Sequence, residues 1–195
     1  MKTLLTDIDD VLLHFAWGFE NWLYKNYNFV SEHKLVQTYD LVKWSNMDVK
    51  VINNYINEFF NSHDYCCLHP YFDALQVLPK FYKNNWKIIA ITAAPKDDFI
   101  YIKRKTNLLS CFGDIFDDII LIGSKEDTEK YDKYDVLKTF NTTWYVEDSE
   151  KQAKCGLKAN HNVLLLNRNH NKTLNHDNLY RINNWYEIEE KLLTN

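Results

Sequence analysis

Leu4-Leu5-Thr6-Asp7-Ile8-Asp9-Asp10-Val11-Leu12-Leu13 is an apolar run broken by three carboxylates. It begins as a buried strand reads, and its acidic residues fall where that strand ends. Asp7 and Asp9 are two apart, so their side chains share one face if the strand continues. They stay close if the chain turns. Two carboxylates held together repel, so one takes a proton or both face a cation. A hard ion such as magnesium relieves the repulsion. The plain alternative is a solvated turn in which Asp9 or Asp10 caps the next helix.

Three later segments repeat the form of an apolar strand ending in a small polar or charged group. Trp86-Lys87-Ile88-Ile89-Ala90-Ile91-Thr92-Ala93-Ala94-Pro95 ends in a hydroxyl followed by small residues. That hydroxyl and nearby backbone N–H groups suit a phosphate; a strand followed by a proline turn is the simpler reading. Ile119-Ile120-Leu121-Ile122-Gly123-Ser124 is followed by Lys125, Lys130 and Lys133. Thr143-Trp144-Tyr145-Val146-Glu147-Asp148-Ser149 delivers a second acidic pair.

Between these segments the pattern alternates. Strands are expected at 3–8, 86–91, 118–122, 143–147 and 162–166. Helices are expected at 15–27, 72–84, 97–109, 132–140, 149–155 and 185–193. Residues 31–62 read as helical, with apolar residues such as Val51, Ile52, Tyr55, Ile56, Phe59 and Phe60 at three- and four-residue steps. This is the pattern of an α/β fold, a Rossmann-like parallel sheet with helices on both faces. Ligands of such sheets bind beyond the carboxyl ends of the strands, where the polar groups above lie. The helical stretch 14–70 interrupts the alternation directly after the first motif. The expected division is a core of 1–13 and 71–195 with a small helical subdomain of 14–70.

The order Asp-x-Asp-x-Val, strand-Thr, Lys, strand-Glu-Asp resembles the haloacid dehalogenase (HAD) superfamily of phosphotransferases. Within it, Asp7-Ile8-Asp9-Asp10-Val11-Leu12 is similar to the opening motif of the 5'(3')-deoxyribonucleotidase group, Asp-x-Asp-Gly-Val-Leu. Asn183-Asn184-Trp185-Tyr186-Glu187-Ile188 is similar to that group's final helix. The resemblance implies a HAD-like core with a cap, 14–70, closing over the active site. It implies a magnesium-dependent phosphomonoester hydrolase working through an aspartyl-phosphate, and most specifically a nucleotidase acting on nucleoside monophosphates. The alternatives are a phosphatase of nucleic-acid ends or of another small metabolite, and a binding protein that keeps the fold without turnover.

By the same resemblance Asp7 is the nucleophile and Asp9 the acid and base. Asp7, Asp148 and the backbone carbonyl of Asp9 hold Mg2+. Glu147 stands where Asp or Gly is common, and either binds a metal-bound water or caps the strand. Thr92 and the Ala93 N–H bind the phosphoryl group. Lys133 opens a helical segment as many third motifs do and is preferred to Lys125, with Lys130 between them. Phe15 and Phe19 follow the first motif directly and are the first candidates to stack on a base, with Trp44 next. Asp10 replaces the usual glycine; it adds charge near Asp9, holds a metal-bound water, or caps the next helix.

Composition fits this reading. The 195 residues suit one core plus an insertion, and aromatic content reaches 15%. The net charge of −4 argues against a nucleic-acid partner. No stretch has the length of a membrane span, and the strand-like start leaves no room for a signal peptide, so a cytoplasmic enzyme is expected. A homodimer is an open expectation from related proteins. Cys66, Cys67, Cys111 and Cys155 read as free thiols. His63, Cys66, Cys67 and His69 have the atoms for zinc but no standard spacing, and the adjacent cysteines read rather as small buried hydrophobes. The basic segment 158–181 reads as a solvated loop.

Overall fold

A computed structural model of the chain describes residues 1–38, 40–123 and 133–194, with the backbone alone at 36 and 37. Among these residues six strands form one parallel sheet: β1 (Thr3–Thr6), β2 (Lys87–Thr92), β3 (Asp118–Leu121), β4 (Trp144–Glu147), β5 (Asn162–Leu166) and β6 (Leu179–Ile182). Their order is β3-β2-β1-β4-β5-β6. The strand order reverses between β1 and β4, which opens a crevice at their carboxyl ends.

Both faces of the sheet are covered, and β1 shows how. Leu4 packs into one cluster with α5 (Phe72–Lys83), α6 (Asp98–Phe112) and α9 (Trp185–Leu193). Leu5, pointing the other way, packs with α7 (Tyr134–Leu137) and α8 (Glu150–Lys158). Both leucines are fully buried, each contributing about 1.5–3 kcal/mol of burial free energy.

Between β1 and β2 stand α1 (Phe15–Tyr27), α2 (Leu35–Thr38), α3 (Leu41–Ser45), α4 (Val49–Asn61) and a 3-10 turn at Asp64–Cys67. The helical run expected over 31–62 is therefore broken. Asp40 and Asp48 accept backbone N–H bonds that start α3 and α4 afresh, and Asn46 ends α3 in a left-handed conformation. Of the helix expected at 132–140, the described residues form only the single turn of α7 (Tyr134–Leu137), and residue 132 lies outside them. β6 was not expected. It is short, lies at the sheet edge and follows a long polar loop, so no alternating pattern announces it. No described helix is long and apolar enough to cross a membrane.

Gly156 lets α8 lie close to the sheet. A Cβ there would stand 2.6 Å from the Tyr145 ring and 3.0 Å from Val163. Gly156→Val should therefore cost about 1–3 kcal/mol in overpacking, read as a lower midpoint in urea unfolding.

Candidate active site

The reversal point of the sheet is where the acidic strand tips meet. The Asp7 N–H donates to the Val146 carbonyl at 2.9 Å, extending the β1–β4 pairing by one residue. That brings Asp7 level with the tip of β4. The chain then turns tightly, with the Leu12 and Leu13 N–H groups both donating to the Ile8 carbonyl. Asp10 takes φ +57° at this turn, a left-handed conformation that aspartate tolerates better than most side chains. Its carboxylate accepts from the Ala16 N–H at 3.2 Å, a contact with the first turn of α1.

Three carboxylates, those of Asp7, Glu147 and Asp148, present oxygens within 4.8 Å of one another. All three residues are buried. Burial, the Glu147 carboxylate and, more weakly, Asp9 push the Asp7 carboxyl well above its ordinary range against the pull of Lys133. Burial, Glu147, Asp10 and Asp7 push Asp148 the same way, opposed by Arg168. Hard oxygen donors gathered in a buried site, with the charged forms of Asp7 and Asp148 disfavoured, fit a hard divalent cation. Behind Asp148, the Asn171 amide donates to its backbone carbonyl at 2.6 Å and to that of Leu166 at 2.7 Å.

Lys133 enters this group from below. It is fully buried, and its Nζ lies 2.6 Å from Asp7 Oδ1 and 2.8 Å from Glu147 Oε2. Burial alone would drive the ammonium toward neutrality. Asp7 and Glu147 outweigh it and hold the lysine pKa above its ordinary value. The Tyr145 hydroxyl also donates to Glu147 Oε2, while Glu147 Oε1 accepts from the N–H groups of Asp148 and Ser149 at 3.1 and 3.0 Å. These contacts are those of a tether for Lys133. The two backbone bonds are also those of a strand-end cap, one of the roles expected of Glu147, and its carboxylate stands with those of Asp7 and Asp148 in the acidic group. Lys125 and Lys130 lie outside the described residues.

Thr92, at the end of β2, donates its hydroxyl to Asp9 Oδ2 at 2.9 Å. The other oxygen of Asp9 is 2.6 Å from Nη2 of Arg104, a buried residue of α6. Sequence reading passed over Arg104, because it sits in the run Lys103-Arg104-Lys105 and looks like part of a solvated helix face.

Above these groups lies a cavity of about 370 Å³. Its floor includes Asp7, Asp9, Thr92, Ala93, Lys133 and Asp148. Its walls include Phe15, Leu35, Leu41, Ile56 and Phe60. Phe19 and Trp44 do not line it. Both are buried inside the helical segment, where Phe19 packs against Trp22, Trp44 and Phe59. Phe15 and Phe19 are one turn apart on α1, and only the residue nearer the sheet reaches the cavity. Asn53 and Asn57 also line it, two carboxamides at i, i+4 beside the apolar positions Ile52, Ile56 and Phe60 of α4. That polar pair flanking an apolar stripe was a signal available in the sequence.

The remaining expectations fare unevenly. His63, Cys66 and Cys67 present ligand atoms within 4.8 Å of one another, while the His69 ring packs edge-on against Trp17. Cys67 is exposed and Cys66 half-buried, so neither is the small core residue expected. The segment 158–181 is not a uniformly solvated loop, since His161 and Asn171 are fully buried in it.

No family model and no curated protein matches the sequence. Solved structures match the fold. A predicted phosphatase from Clostridium acetobutylicum superposes with a TM-score of 0.72 at 18% identity, covering 100% of this chain and 99% of that one. A predicted phosphoglycolate phosphatase from Haemophilus somnus gives 0.67 at 15%, covering 98% and 97%. The D,D-heptose 1.7-bisphosphate phosphatase of B. bronchiseptica, complexed with magnesium and phosphate, gives 0.62 at 14%, covering 100% and 99%. At such identities the likeness establishes the fold, and the chemistry rests on this chain's own residues.

Proposed function

We propose that the protein is a magnesium-dependent phosphomonoester hydrolase of the HAD type, acting on nucleoside monophosphates. The observation that carries the reading is the meeting of Asp7, Lys133, Glu147 and Asp148 at the switch point of the sheet, beneath a largely apolar cavity. Asp7 and Asp148, with the backbone carbonyl of Asp9, would hold the ion. Bound there, it would shield charge on the transferring phosphoryl group and keep Asp7 ionised.

The chain's own residues do the rest. An Asp7 oxygen attacks phosphorus as the ester P–O bond breaks, giving an aspartyl-phosphate. Asp9 gives its proton to the departing oxygen. It then takes a proton from water, whose oxygen attacks the same phosphorus and frees Asp7 and orthophosphate. Lys133 faces the phosphoryl oxygens as a fixed positive charge, and the Ala93 N–H adds a donor. Thr92 holds Asp9 and stands beside the same oxygens. Residues 14–70 act as a cap that keeps bulk water out.

Support for a nucleoside as leaving group is the cavity itself. Its volume lies in the range of small-molecule sites. It pairs flat apolar walls, Phe15 and Phe60, with the Asn53 and Asn57 amides, which have donors and acceptors for a base edge. The test is phosphate release from a panel of 5'- and 3'-nucleoside monophosphates, sugar phosphates and 3'-phosphorylated oligonucleotides, with Mg2+ and with chelator. Release from mononucleotides that chelation abolishes is the expected result. Preference for sugar phosphates or oligonucleotide ends would overturn the substrate assignment. No Mg2+-dependent release from any ester would overturn the activity.

A second result follows for the cavity. Phe15→Ala should raise KM for nucleoside monophosphates about tenfold while changing KM for p-nitrophenyl phosphate little, the pattern of a lost binding contact. Equal change on both substrates contradicts a stacking role.

A further inference from the structure

One buried charge is not needed to bind phosphate or metal. Arg104 projects from α6 into the interior and is wholly buried. Its Nη2 meets Asp9 Oδ1 at 2.6 Å. Its Nε donates to the Tyr65 hydroxyl at 3.1 Å, and its guanidinium lies 4.2 Å from the centre of the Tyr65 ring. Nη1 is buried with no hydrogen-bond partner among the described residues. A leucine or methionine would fill the space without desolvating a cation, so packing alone is a poor reason for this side chain.

Tyr65 belongs to the 3-10 turn through which the helical segment returns to the sheet. The same face of α6 holds that turn a second time. Asn107 accepts from the Leu68 N–H at 3.1 Å and donates to the Leu68 carbonyl at 2.9 Å. Two residues further on, Pro70 pairs with Leu13, closing the path back to the first motif. Asp9 is thus gripped on one oxygen by Thr92 of the core and on the other by a cation that also holds the return turn.

We infer that Arg104 is the positioning residue for Asp9, and that Tyr65 links its placement to the return turn of the helical segment. The inference rests on the acid role proposed above for Asp9. Proton delivery is effective only when the carboxyl sits within hydrogen-bond reach of the leaving oxygen, so fixing its rotamer matters for esters that need a proton. An alkoxide leaves poorly without one, whereas p-nitrophenolate leaves without help. Loss of Arg104 should therefore separate the two classes.

The experiment compares kcat/KM, which covers steps up to departure of the leaving group, for a nucleoside monophosphate and for p-nitrophenyl phosphate. Arg104→Met should lower the first by about 10²-fold or more, the scale of a general-acid contribution, and the second less than about tenfold. Tyr65→Phe keeps the ring and removes the hydroxyl; it should shift the ratio the same way by a smaller factor. Mg2+ affinity should not move in either. Equal losses on both esters in folded variants, judged by circular dichroism, would mean a merely structural role and overturn the inference. If Arg104→Met does not fold, Tyr65→Phe decides: an unchanged ratio overturns the link. A parent enzyme inactive on both esters instead sinks the proposed function, and this inference with it.

Discussion

Asp7→Asn should abolish turnover, lowering kcat for every phosphomonoester by about 10⁴-fold or more, the scale on which loss of a covalent nucleophile acts. The substitution keeps size and shape, and the Thr6–Val146 pairing that fixes its backbone is unaffected. It also removes a negative charge that burial and Glu147 disfavour. Lys133 loses one partner but keeps Glu147 at 2.8 Å, so the folded variant should be close to the parent in stability. The check is steady-state kinetics beside urea unfolding. Residual activity within tenfold of the parent would show that the phosphoryl group never resides on Asp7.

Lys133→Met should be nearly as damaging, for two separable reasons. Removing a fixed charge aimed at developing phosphoryl charge costs about 10²–10³ in kcat. Removing it also leaves Asp7 and Glu147 buried and facing each other, which costs about 3–5 kcal/mol of stability as any broken buried ion pair does. The second effect can be partly reversed without the first. Adding Glu147→Gln to Lys133→Met removes one of the two stranded charges and their mutual repulsion, and the double variant should regain part of the lost stability while staying inactive. If the double variant recovers activity as well, Lys133 serves the fold and not the phosphoryl group.

The strands that carry chemistry were legible because each is a short apolar run with its polar group at the end. Thr6, Thr92 and Glu147 all terminate strands that the sequence announces. What could not be read was depth. Lys133 and Lys125 follow the same strand, and only the tether made by Glu147 and Tyr145 shows what Lys133 meets. Arg104 and its lysine neighbours are alike as letters; of the three, only Arg104 lies on the buried stripe of α6 with Ile100, Leu108 and Phe112. Phe19 and Phe15 are likewise equivalent by spacing. The aromatic core of the helical segment claims Phe19 because Trp22, Trp44 and Phe59 surround it. The role of Asp10 was open for a related reason: a positive φ at 10 aims its carboxylate at Ala16, and a sequence does not display φ.

The central claim is that Asp7 and Asp148 share one divalent cation. Calorimetric titration of Mg2+ into the parent, Asp7→Asn and Asp148→Asn, each with saturating orthophosphate, tests it most directly. One ion per parent chain and loss of that binding in both variants is the predicted result. A parent that binds no Mg2+, or variants that bind it as tightly as the parent, would contradict the account.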